Sequence, residues 1–192
     1  MSKLIDSKFK ETLKNHYANI CEVYIYFHTF KDINNLAKSN KDKLSYSFFG
    51  TSRRALYYMS CMSIAKLFDK NKATENIPKL LETASQNLGL VRIKNAKQKI
   101  SSLQIELAKH ATIIKNLIGK RNEYYAHNDK NFFRKPQLLS KKYPLAITDL
   151  ETLLKFAIKV LDKLTGEKTV FKPLDDDFLD LKYLLADIKK SD

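Results

Sequence analysis

Apolar residues recur along most of the chain at intervals of three and four, separated by short polar links, and this period predicts helices rather than strands. About six helical segments follow, each bounded to within about 2–4 residues. The first runs from about Asp6 to Leu36 and carries Leu13, Ile20, Val23, Tyr24 and Phe27, with the polar stretch Lys38 to Lys43 closing it. Thr51 or Ser52 can cap a second helix that continues to about Asp69, with Leu56, Ser60, Ser63, Ile64 and Leu67 on one face. A link, Lys70 to Glu75, leads to a short third helix from Pro78 to about Asn87. A proline in the first turn sacrifices only an N–H that has no partner there.

The fourth predicted helix, about Ile93 to His127, is the most informative. Ile100, Leu103, Leu107, Ile114, Leu117 and Ile118 form one stripe, and Arg121 projects near its centre, between Ile118 and Tyr125. Arginine seldom occupies a buried face unless it is paired or faces a ligand. Two readings stay open: a structural ion pair, or a site at a cleft or subunit seam. His110, on the same stripe, reads as a hydrogen-bonded core histidine, and His16 and His28 as structural.

The stretch Lys130 to Pro144 loses the helical period, and Phe132, Phe133 and Tyr143 alternate with basic residues, which predicts a loop. Such a loop can stack bases, but its aromatics more often anchor it to its own core. A fifth helix follows Thr148 and Asp149, is striped by Leu150, Leu153, Leu154, Ala157, Ile158, Leu161 and Leu164, and ends at Gly166. A last one, about 175–190, begins at the acidic run Asp175 to Asp177 and buries Leu181, Leu184, Leu185 and Ile188.

Composition agrees with the pattern. Four glycines, four prolines and no tryptophan in 192 residues favour an all-α bundle, expected as one domain over 1–192. Thirty-five Lys and Arg against 21 Asp and Glu leave a net charge of +14, which suits a polyanionic partner or, equally, a merely solvated lysine-rich surface. Cys21 and Cys61 lie far apart without the spacing of a zinc site and are expected to be reduced core residues. Neither a metal nor a cofactor is expected. The first residues lack the apolar core of a signal peptide and no apolar run is long enough to span a bilayer, so a cytoplasmic location is expected.

Chemistry concentrates at Arg121, Asn122 and His127. A guanidinium offers fixed donors to phosphate oxygens, and an imidazole can take or give a proton near neutral pH. Together they form a kit for working on a phosphodiester without a metal. His127 precedes Asn128, a residue type suited to ending a helix, where the carbonyl end of the dipole favours the imidazolium.

The arginine, the polar residue after it and the histidine resemble the Arg–polar–spacer–His signature of HEPN domains. Phe48 to Leu56, Ile64 to Asp69, Ile77 to Leu81, Arg121 to Asp129 and Pro144 to Leu150, in that order, resemble the abortive-infection AbiU branch over about residues 5–165. The resemblance implies an antiparallel helical bundle that forms a homodimer and brings two motifs together. It implies a metal-independent endoribonuclease of phage defence or of a toxin–antitoxin pair, with an antitoxin or other defence protein as a further partner. Some relatives have lost catalysis and only bind nucleic acid or protein. On this footing Arg121, Asn122 and His127 are the expected catalytic residues. Arg53, Arg54, Lys120, Lys130 and Arg134 are expected to meet RNA, and Glu123, Tyr124, Tyr125 and Asp69 to support the site. One departure stands out. Where the branch regulated by tyrosine modification carries a tyrosine, two positions after the histidine, this chain has Asp129.

At about 100° per residue, the six steps from Arg121 to His127 leave the two side chains about 120° apart. A single ideal helix therefore does not present both to one phosphate. Two chains around a twofold axis would relieve this, with the arginine of one facing the histidine of the other.

Overall fold

A computed structural model of the protein describes residues 2–39, 47–71, 74–91, 93–125 and 136–168. Helix α1 is Ser2–Ser39, uninterrupted because no glycine or proline falls within it, and at 1.5 Å per residue it is about 57 Å long. Phe9, Leu13, His16, Ile20, Val23, Phe27 and Phe30 step along it by alternating fours and threes, and all are buried or half-buried. That spacing keeps one seam against helix α2, Ser47–Phe68. Ser60 is tolerated inside α2 because its hydroxyl donates to the carbonyl of Leu56 at 2.7 Å.

Helix α3, Ile77–Gln86, starts where expected: Asn76 accepts from the Lys79 N–H at 2.9 Å, and Pro78 sits in the first turn. A 3₁₀ turn, Leu88–Leu90, leads to α4, Ala96–Lys109, and α5, Ala111–Lys120. Beyond them come α6, Pro136–Lys142, and α7, Ile147–Thr165. Among the described residues there is no strand, so the fold is all-α as expected. None of these helices is long and apolar enough to cross a membrane.

Helix α7 is the centre of the bundle and packs on α1, α2, α3 and α4. Leu150, Leu153, Leu154, Phe156, Ala157, Val160, Leu161 and Leu164 are all buried, an apolar stripe wide enough to serve neighbours on several sides. Asp149 caps its start by accepting from the Ala146 N–H at 2.8 Å, and Gly166, at a φ of 79°, supplies the left-handed residue that ends it. Buried residues from Phe9 to Leu164 join into one apolar cluster. At its rim Lys31 pairs with Glu151 at 3.1 Å and Lys159 with Glu106 at 2.6 Å, tying α1 and α4 to α7.

Three expectations need correction. The predicted helix 93–127 is divided at His110, where ψ is 1° and the N–H turns back to Leu107 at 3.1 Å. No glycine or proline causes this. The His110 ring stands edge-on to Phe156 of α7 at 5.1 Å, and the break lets α4 follow α7 while α5 turns along α2. Second, α2 begins at Ser47, not at Thr51 or Ser52, and Gly50 is carried within it. Third, part of the predicted loop is α6, with Pro136 at its first position and Leu139 buried as its anchor. The expected helix at 175–190 lies outside the described residues.

His16 is 1% exposed, and among the described residues neither ring nitrogen has a hydrogen-bond partner. Burial pushes its pKa below 6.5, with the Glu75 carboxylate pulling the other way. His28 is also lowered, first by burial and then by Lys31. Below 6.5 the unfolded chain accepts a proton that these folded-state imidazoles resist, so stability present above that value is lost as pH falls. Urea unfolding at about pH 7.5 and about pH 5.5 is expected to show a lower midpoint in acid, and His16→Leu to shrink the difference.

Candidate active site

The stripe of α5 buries Ile114 and Leu117 and half-buries Ile118, so the next residue on that side would be apolar if packing alone mattered. It is Arg121. After Lys120 the backbone ladder widens into a π-helical turn, Arg121–Tyr125, which packs on both α5 and α2. Single π turns within helices are uncommon and are frequently found at functional sites. Here the turn coincides with the Arg-Asn-Glu-Tyr-Tyr run of the motif.

Asp69, the residue after the end of α2, meets Arg121 at 2.7 Å between Oδ2 and Nη1, with side chains 25% and 16% exposed. The other carboxylate oxygen, Oδ1, accepts from the Asn71 N–H at 3.2 Å, so the carboxylate is held from both sides. Arg121 Nε donates to Asn122 Oδ1 at 2.9 Å. An arginine has five N–H groups, and these two contacts use one each. Among the described residues the other three meet no partner. Because Nε can only donate, Asn122 must present its oxygen there, which leaves its amide N–H groups pointing elsewhere.

Glu123, in the middle of the π turn, is bound from across the chain. Lys142 Nζ lies 2.8 Å from Oε1 and 2.9 Å from Oε2, and the Tyr143 hydroxyl donates to Oε1. This carboxylate holds the Lys142 ammonium and the Tyr143 phenol above their ordinary pKa values, chiefly through those hydrogen bonds. The Tyr143 ring lies against the backbone of Gly119 so closely that any Cβ at position 119 would overlap it. Asn116 adds a third tie, donating to the Pro144 carbonyl at 2.8 Å.

Other expected site residues fall differently. Lys120, expected to meet nucleic acid, is only 6% exposed, because it lies three residues after Leu117 on the stripe that faces α2. Burial lowers its pKa, and the sulfur of Cys61 opposes that shift. Arg53 and Arg54 are exposed, as a nucleic-acid contact requires, but 15 residues of α2 separate Arg53 from Phe68, about 22 Å along the helix axis. They belong to a surface remote from Arg121. His127, Lys130 and Arg134 lie outside the described residues, and so do the side chains of Tyr124 and Tyr125.

Cys21 is half-buried and Cys61 buried, and among the described residues neither forms a disulfide. Among the described residues no three side chains of His, Cys, Asp or Glu gather as metal ligands would. What the site offers is a shelf of directional N–H donors at the end of a helix, rigidly backed by a carboxylate. Sequence reasoning missed Gly119, Lys142 and Asn116 as parts of it. Gly119 carried a signal, since a lone glycine inside a striped helix costs about 1 kcal/mol against alanine and calls for a packing reason. The reason is the Tyr143 ring.

An AbiU2 family model of HEPN type matches residues 3–180 of the chain. No curated protein and no solved structure matches it.

The Asp69–Arg121 pair is intermediate between exposed pairs, worth up to about 1 kcal/mol, and buried ones, whose breakage costs about 3–5. Asp69→Ala is expected to cost about 1–2 kcal/mol in chemical denaturation. Added to Arg121→Ala it should cost much less, so a double-mutant cycle reads the coupling directly.

Proposed function

Since the chain belongs to the AbiU2 family of HEPN type, a family of abortive infection, we propose that it is a metal-independent endoribonuclease working at a composite site of a homodimer. The observation that carries this reading is the state of Arg121: half-buried on an apolar stripe, fixed by Asp69 and Asn122, yet with N–H groups to spare. A merely solubilising arginine needs none of this support.

Cleavage begins with attack of the ribose 2′-oxygen on the adjacent phosphorus. The O–P bond to the 5′-oxygen breaks and a 2′,3′-cyclic phosphate remains. A base must take the 2′-hydroxyl proton and an acid must supply one to the leaving 5′-oxygen. His127 fills one of these roles. Arg121 holds the non-bridging oxygens as charge builds on the pentavalent phosphorus, where prearranged donors act most strongly. Asn122 braces the guanidinium through its oxygen and offers its amide N–H groups to phosphate or ribose.

In a dimer, the arginine of one chain faces the histidine of the other, which removes the angular mismatch within a single helix. The net charge of +14 would draw RNA in and make binding fall with salt. A second reading, a catalytically silent module that binds nucleic acid or a partner protein of the defence system, is favoured by one observation. Asp69 by itself accounts for the burial of Arg121.

Purified protein is expected to cut RNA in excess chelator and leave cyclic phosphate ends. His127→Ala should lose about 10²–10⁴-fold and Arg121→Ala about 10²–10³-fold. Intact RNA with retained binding would establish the silent module instead. Co-expression of the two mutant chains should restore cleavage, because one site of each mixed dimer is whole. No recovery in mixed dimers would place both groups of a site in one chain.

A further inference from the structure

The π turn is a local excess of one residue over the α ladder, and such turns persist only when surrounding contacts hold them. If Arg121–Tyr125 relaxed into α-helix, everything after it would rotate by about 100° relative to Arg121. Some contact must oppose that. Asp69 holds the first residue of the turn, and a tie at its centre comes from 20 residues ahead: Tyr143 on Glu123, joined by Lys142. The ring making this tie is keyed against Gly119, one turn earlier on α5, and the Asn116 to Pro144 bond secures the same strand of chain a second time. Residues 139–144 thus fasten to α5 and to the π turn at once. The backbone N–H of Tyr143, bonded to the Leu139 carbonyl at 2.8 Å, fixes the tyrosine to the end of α6.

We propose that Tyr143, assisted by Lys142, is a positioning residue for the motif: with its ring packed on Gly119 and its hydroxyl bound to Glu123, it fixes the π turn that lies between Arg121 and His127. It touches neither phosphate nor proton in the reaction and acts through Glu123. The geometry of the tie stands on its own, while its effect on cleavage rests on the nuclease reading above.

The test uses the full chain with Tyr143→Phe, Glu123→Ala, Glu123→Gln and Gly119→Ala. Two readouts are taken: amide hydrogen exchange across 121–125, and steady-state cleavage of RNA. Tyr143→Phe keeps the ring but not the hydroxyl, so it is expected to fold normally, to exchange faster across the turn, and to lose about 10–100-fold in kcat with KM changed by less than about twofold. Glu123→Gln, whose amide oxygen still accepts from the phenol, should lose less than Glu123→Ala. Gly119→Ala should reproduce the loss by expelling the ring. Wild-type exchange across 121–125 in a folded Tyr143→Phe overturns the proposal, as does faster exchange with unchanged kcat. If the wild-type chain cuts no RNA, the nuclease reading fails, and the exchange comparison still decides whether Tyr143 holds the turn.

Discussion

A cation on the apolar side of a helix has to be neutralised, and much of this structure follows from how that is done at Arg121. Its guanidinium extends the stripe of α5 and is half-buried there, so leaving it without its carboxylate is expected to cost about 1–2 kcal/mol. The neutralising group comes from the far end of α2, not from α5 itself. The ion pair therefore fixes where α2 stops relative to where α5 changes pitch. Asp69 is itself clamped by the Asn71 N–H, so the pair is directional on both sides and the guanidinium plane has little freedom. A group that must present N–H donors at set angles gains from that restriction, since the entropy of ordering it is already spent in folding.

The bundle makes this arrangement possible by giving each helix one job. Helix α7 buries residues on several sides and serves as the axle. Helix α1 lays a seam of alternating fours and threes along α2 and keeps α2 straight enough to deliver Asp69 to the right place. The break at His110 matters for the same reason. An unbroken helix could not follow α7 in its first half and α2 in its second, and the edge-on contact of His110 with Phe156 marks the point of divergence.

Much of the fold was legible because it depends on local periodicity. The stripes of α1, α5 and α7, the proline in the first turn of α3, and the stop at Gly166 each follow from side chains a few residues apart. The oddity of Arg121 was legible too, as a charge in a stripe. What stayed hidden depends on partners distant in sequence. Nothing local announces that His110 interrupts a helix, since only Phe156 explains it. The proline-marked stretch before Pro144 reads as a loop, because a helix as short as α6 needs the burial of Leu139 to exist. Lys120 looks like a surface cation until α2 is placed beside it. Its burial beside Cys61 is a consequence of the same stripe that carries Arg121.

The Asp69 pairing also divides the work of attraction from the work of recognition. A guanidinium that shares its charge with a carboxylate at 2.7 Å projects little net field beyond its own shelf. Under the proposed nuclease reading, long-range attraction of RNA would then come from the summed surplus of lysine and arginine, including exposed groups such as Arg53 and Arg54 that stand about 22 Å away along α2. That field is sensitive to salt and indifferent to geometry. Under the same reading, short-range discrimination would fall to the remaining N–H groups of Arg121, which are strict about geometry. An arginine bare of its carboxylate would bind phosphate more strongly but hold it less selectively. Pairing it trades affinity for a fixed direction, which is what the proposed cleavage would need, since one phosphorus must then be addressed at one angle.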